Sequence, residues 1–389
     1  MERLVPVTFH DAWGSHVSIA SLRGHDIPSP EPESELWMGA HEEGPSGLAD
    51  RAGLTLADLV AEDPEGVLGR SNVERFGARL PFLLKVLAPG KAISIQAHPT
   101  AEQARTVRRR QAGRAEQTYV DDWAKPELLV AIAPFEVFVG LRDHAETEAF
   151  LGRLAVPELS AHLESTRSAP DPVHALLAAV LATPADRVAG FVREVVAAAV
   201  RVEGTDDELG DAASSLVRVA EDHPDDIGVV VLTLMHHRLL LPGEFIDVAA
   251  GVLHSYVRGL GIEVLANSDN VVRAGLTAKP VDVEELLRIV DTGADGVAGR
   301  PRPVSDGVDV FDSASDRFVL HRVQAQEGAR SLPGDGARIA FCLRGGAVLT
   351  AGAAEPIQLG PTDSVFIRAD EATPVLTAGE VYVVAAPPA

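Results

Sequence analysis

Apolar and polar positions follow three textures along the chain. From about residue 86 to 141 the apolar, β-branched runs are short and bounded by Pro or Gly, as at 92–97 and 128–133, which predicts strands. Between them Thr100 and Gln103 form a capping box, predicting a helix whose basic stretch 105–110 is a solvated face. From about 143 to 241 the spacing becomes helical. Asp171-Pro172 and Thr183-Pro184 each set an N-cap before a proline. Leu176, Leu177, Val180 and Leu181 recur at helical intervals, as do Val188, Phe191, Val192 and Val195. Thr205 and Glu208 predict another capped start. After Pro242 strands return from 244 to 265, and again from 308 onward with turns at Gly334-Asp335-Gly336, Gly345-Gly346 and Gly360-Pro361. Such spacing predicts sandwich or barrel β-structure.

A chain of 389 residues exceeds one ordinary core, so two or three domains are expected. Hydrophobic residues at 46% exclude a disordered chain. The 57 acidic against 34 basic residues give a net charge of -23, a field that repels nucleic acid and anionic membrane. It also repels a phosphorylated substrate unless cations converge locally. Cys342 is the single cysteine, which excludes an internal disulfide and multi-thiolate zinc sites. No apolar run reaches spanning length, and the first residues lack a basic start followed by an apolar stretch. The expectation is a cytoplasmic enzyme.

Candidate chemistry begins at Ser94, Gln96 and His98, which share one face of a strand closed by Pro99, with Ile95 on the other. A polar strand edge has the same pattern, and a lone histidine is a weak metal signal. Lys125-Pro126-Glu127 opens a buried strand and also fits an ordinary loop. His254 follows the turn at Gly251, and Glu263, beyond the turn 259–261, can face the same cavity. Two histidines, a carboxylate and a neutral oxygen donor make a workable site for a borderline divalent cation. His174, His236, His237 and His321 read as structural.

The chain resembles the type I mannose-6-phosphate isomerases. The matching stretches are Glu35-Leu36-Trp37-Met38-Gly39 with His41, residues 80–85, 94–99, Lys125-Pro126-Glu127, 251–263 and 268–277, in family order. The resemblance implies mainly β architecture: cupin-type jelly-roll domains plus an inserted α-helical domain. The expected division is a discontinuous catalytic jelly roll of 1–142 and 243–300, a helical insert of 143–242 and a C-terminal β domain of 301–389. It further implies one zinc ion per chain, held by Gln96, His98, Glu127 and His254. Arg273 matches the active-site arginine, while Lys125, Glu263 and Asp269 are the catalytic candidates beside it. Lys85, Ser94, Tyr256 and Lys279 match substrate-pocket positions. Three departures stand out: Ala124 replaces a histidine, so no base can act there; Ala249 replaces a proline; and Glu42 replaces another.

The implied activity interconverts mannose 6-phosphate and fructose 6-phosphate by proton transfer through an enediol. The expected partner is a small sugar phosphate, with neither nucleic acid nor membrane, and the chain is expected to act as a monomer. Two other readings remain at this level. His98, Glu127 and His254 can form a ferrous oxygenase site, which Gln96 and the cations Lys85, Lys125, Arg273 and Lys279 oppose. A non-catalytic sugar-binding regulator would have lost a ligand or Arg273, and none is lost. Lys85, Lys279 and Ser94 are the candidates for holding phosphate, with Lys279 first.

Overall fold

The computed structural model describes residues 1–113, 117–326 and 328–388. The fold is sheet-rich with helices. Its site is set by how fully buried strands divide their side chains between two cores. In Phe135–Leu141, Phe135, Val137 and Val139 enter one core and Phe138 and Leu141 another. In Glu127–Ala131, Leu129 and Ala131 share the core of Phe135, while Leu128 and Val130 face a third. In Arg338–Phe341, Ile339 and Phe341 join that third core and Ala340 a fourth. Strand alternation thus builds layers.

The first layer is helical and packs on the outer face of a five-stranded sheet, whose inner face meets a seven-stranded sheet. The seven-stranded sheet backs onto an eight-stranded sheet, which in turn covers a four-stranded one. The observed strand pairs are antiparallel, and the terminal strand Glu2–Val5 pairs with Ser364–Ile367 of the eight-stranded sheet. No single helix among the described residues is long and apolar enough to cross a membrane.

The helix Ala101–Arg110 has the expected capping box, and Pro172–Leu181 starts on the Asp171 cap. Two caps differ from expectation. Thr183 donates its hydroxyl back to the Val180 carbonyl, ending the preceding helix, and Ala185–Val202 begins without a side-chain cap. Thr205 donates to Asp207 Oδ1, which also accepts from Gly210 N and so caps Glu208–Asp222. The helical texture stops at Leu234, because Met235–Leu240 is a strand paired with Phe135–Leu141. The strand expected at 92–97 is limited to Ile95–Ala97. Helices at Leu56–Glu62, Pro64–Leu68, Arg70–Phe76 and Val283–Ile289 were not foreseen.

Candidate active site

The five- and seven-stranded sheets open at one end into a cavity of about 710 Å³. Strand Ile95–Ala97 lies between His254–Arg258 and Val272–Gly275. Gln96 is therefore registered beside His254 on one side and Arg273 on the other. The facing sheet supplies Glu127, the first residue of its strand, and Lys85 directly opposite Glu263. Gly251, at φ 85, makes the turn that delivers His254.

His98 and His254 are fully buried behind the cavity. Their Nε2 atoms lie 3.2 and 3.3 Å from the two oxygens of Glu127. Each Nδ1 faces a backbone carbonyl, that of Asn270 at 2.7 Å and that of Val252 at 3.0 Å. A ring nitrogen facing a carbonyl carries the proton, so each Nε2 presents a lone pair. His98 Nε2 has no hydrogen-bond partner. Gln96 Nε2 lies 3.3 Å from His254 Nε2, and a half-turn of its amide offers the oxygen instead. The His98, Glu127 and His254 donor atoms all lie within 4.8 Å of one another. Neutral imidazoles and a buried carboxylate so grouped fit a zinc-like divalent ion.

The local electrostatics agree with that use. Burial pushes the His98 imidazole down to about 4, keeping it neutral as a ligand must be. Burial opposes ionisation of Glu127, but the Lys125 ammonium, at 3.1 Å, holds it well below the usual carboxylate range. Glu263 goes the other way: burial first, then the Glu127 carboxylate, push it up to about 8 against the pull of Lys85. Burial also raises the Tyr256 phenol well above its ordinary value; its hydroxyl lies 3.5 Å from Glu127. For Asp269 burial is outweighed by His41, 3.2 Å away, and its carboxyl is lowered.

Ten of the twelve residues singled out above line this one cavity: Lys85, Ser94, Gln96, Lys125, Glu127, Tyr256, Glu263, Asp269, Arg273 and Lys279. They differ in freedom. Lys85 is buried between Glu35 at 3.1 Å and Glu263 at 3.8 Å, under the Trp37 ring. Lys279 is exposed at the rim, and Arg273 is partly buried.

The lining also holds residues given no role above. Glu35, Trp37 and His41 lie there, as do Lys91, Asp222 and His223. The first three sit in a matched stretch; nothing in the sequence links the helical pair Asp222 and His223 to the cavity. Asn270 is more than a turn residue. Its amide donates to the carbonyls of Asp121 at 3.1 Å and Trp123 at 2.8 Å, while its carbonyl orients His98.

The comparisons with known proteins agree. The sequence model of the phosphomannose isomerase type I catalytic domain matches residues 1–144. The mannose-6-phosphate isomerase of Escherichia coli K12 is 32% identical, covering 97% of both chains. That of Salmonella typhimurium LT2 is 33% identical with the same coverage. Among solved structures, mannose 6-phosphate isomerase from Salmonella typhimurium bound to substrate (F6P) and a zinc atom superposes with a TM-score of 0.87, at 29% identity over 100% of both chains. The fold, the converging donors and the full-length similarity agree: this chain belongs to the type I mannose-6-phosphate isomerases.

Proposed function

We infer that the chain interconverts D-mannose 6-phosphate and D-fructose 6-phosphate with one zinc ion. The observation that carries this is the buried His98–Glu127–His254 group at the back of the cavity, in a chain matched end to end by such isomerases. Gln96 completes the proposed ligand set. When bound, zinc supplies a Lewis acid for the sugar oxygens.

The remaining roles fall to the chain's own residues. The reaction moves a proton between C2 and C1, so one group must take it and return it, which favours a pKa near working pH. Glu263 has that property and is our assignment. Lys125 holds Glu127 ionised and can donate to a sugar oxygen. Arg273, registered beside Gln96, supplies fixed positive charge where the enediolate develops. Asp269, gripped by His41, orients a hydroxyl. Ser94 and Tyr256 shape the sugar site, Lys85 keeps Glu35 and Glu263 in place, and Lys279 at the rim reads the phosphate.

The same reading makes the paired sheets cupin-type jelly rolls. It divides the chain into a catalytic unit from 1–142 and 243–300, a helical insert and a C-terminal unit of 301–389. Helices ending at Leu234 support closing the insert at 234. The pairing of Glu2–Val5 with Ser364–Ile367 supports lending that strand to the C-terminal sheet.

A coupled assay for fructose 6-phosphate formation tests the function. Activity should disappear with a chelator and return with zinc, and elemental analysis should find about one zinc per chain. Full activity in metal-free protein, or none with zinc restored, would refute the reading.

A further inference from the structure

The helical segment does more than cover the sheet. Its helix Glu208–Asp222 ends at the cavity, where Asp222 and His223 form part of the wall and Asp222 pairs with Lys91 at 2.8 Å. Four residues on, one carboxylate gathers three backbone N–H groups from two parts of the chain. Asp226 Oδ1 accepts from Gly228 N at 2.7 Å and Leu276 N at 2.9 Å, and Oδ2 accepts from Thr277 N at 3.1 Å. The first belongs to the helical segment. The other two open the stretch that leaves strand Val272–Gly275, carrier of Arg273, and leads to Lys279.

That stretch does not hold its shape by itself. Leu276 has φ 55, a left-handed conformation costly for a branched side chain. Gly275 and Gly228 touch backbone to backbone: a Cβ on Gly275 would come within 2.6 Å of Gly228 Cα, and one on Gly228 within 2.7 Å of Leu276 N. A carboxylate accepting several N–H groups is a strong clamp, and it grips the residues that enter the cavity wall. Leu276, Thr277 and Lys279 all line the cavity.

We propose that Asp226 is a positioning residue for substrate binding, fixing the 276–279 stretch against the helical segment so that Lys279 meets the phosphate end of the sugar. This rests on the reading of Lys279 given above. It also gives the helical segment a part in the enzyme: it is the plate against which one wall of the cavity is fastened.

Asp226→Asn keeps one oxygen but sets an amide N–H₂ against Thr277 N, so the clamp is weakened without a change of shape. KM for mannose 6-phosphate should rise about tenfold, the scale of one charge-assisted hydrogen bond, with kcat and zinc content nearly unchanged. Gly228→Ala, which keeps the Asp226 carboxylate but pushes a methyl onto both Leu276 N and Asp226 Oδ1, should do the same. Because the effect runs through Lys279, adding Asp226→Asn to Lys279→Met should change KM by less than about twofold. If Lys279→Met alone leaves KM unchanged while Asp226→Asn raises it, the phosphate assignment fails and the clamp stands. A loss of thermal stability with KM unchanged, or equal proportional effects of Asp226→Asn with and without Lys279 when Lys279→Met itself raises KM, overturns the proposal.

Discussion

At the scale of single residues, the same side chain takes opposite roles according to what surrounds it. Glu127 and Glu263 are both buried carboxylates of one sheet, yet Lys125 keeps the first ionised while burial and Glu127 itself keep the second protonated. A bound divalent ion beside Glu127 pulls the Glu263 value down, so the activity should rise with pH along a limb at or below about 8. Glu263→Gln should abolish that limb and leave roughly a hundredth or less of the activity. Arg273→Ala should lower kcat by a similar factor but keep the shape of the profile, since the role proposed for it is to stabilise charge and not to move a proton. An unchanged limb in Glu263→Gln would return the proton transfer to Lys125 or Asp269. The proposed donors Gln96, His98, Glu127 and His254 were legible through the family resemblance; alternation placed Gln96 and His98 on one face and a glycine turn preceded His254, but a polar strand edge carries the same pattern. Glu35, Lys91 and Asp222 were not, because a charged residue on a cavity wall has the same sequence pattern as one on a solvated face.

At the scale of elements, helices were readable where apolar periodicity and side-chain caps coincide, as at Pro172–Leu181. Met235–Leu240 was missed because its burial does not alternate, and it follows a helical region without a break. One ionic cluster ties these elements together. Glu136 on strand Phe135–Leu141 receives His237 Nε2 of the neighbouring strand at 2.9 Å and Arg218 of helix Glu208–Asp222 at 2.6 Å. Burial raises its carboxyl, but these partners win and depress it from 4.5 to about 2. A depressed carboxylate contributes stability that is complete above its unfolded pKa and lost as pH falls through the folded one. The window is thus from about 4.5 down to about 2. That shift corresponds to roughly 3 kcal/mol. Denaturant unfolding of Glu136→Gln should show a deficit of that order at neutral pH, shrinking below pH 4.5. A deficit that stays constant with pH would mean the glutamate acts by packing alone.

At the scale of the whole molecule, sequence distance hides the largest arrangement. The first strand pairs with residues 364–366, a closure that no local pattern encodes. Net charge, in contrast, is plain from composition and creates a conflict that the site must answer. The protein carries -23 and takes a dianion, and the described cavity lining does not reverse that sign. It presents Asp11, Glu35, Glu43, Glu127, Asp222, Glu263 and Asp269 against Lys85, Lys91, Lys125, Arg273 and Lys279. A divalent ion at the back brings the lining to balance when Glu263 is ionised and to a net positive charge when it is protonated, so the metal also makes the cavity hospitable to phosphate. The long-range field still opposes approach, and it is screened over roughly 30 Å at 0.01 M salt but only about 8 Å at 0.15 M. Raising the salt across that range should therefore increase kcat/KM for mannose 6-phosphate, since repulsion between distant like charges is removed before short-range contacts to the phosphate are weakened. Any slow turnover of neutral mannose should stay flat. A fall in kcat/KM with salt would mean that attraction by the rim cations outweighs the net charge, and that the global field plays no part in substrate capture.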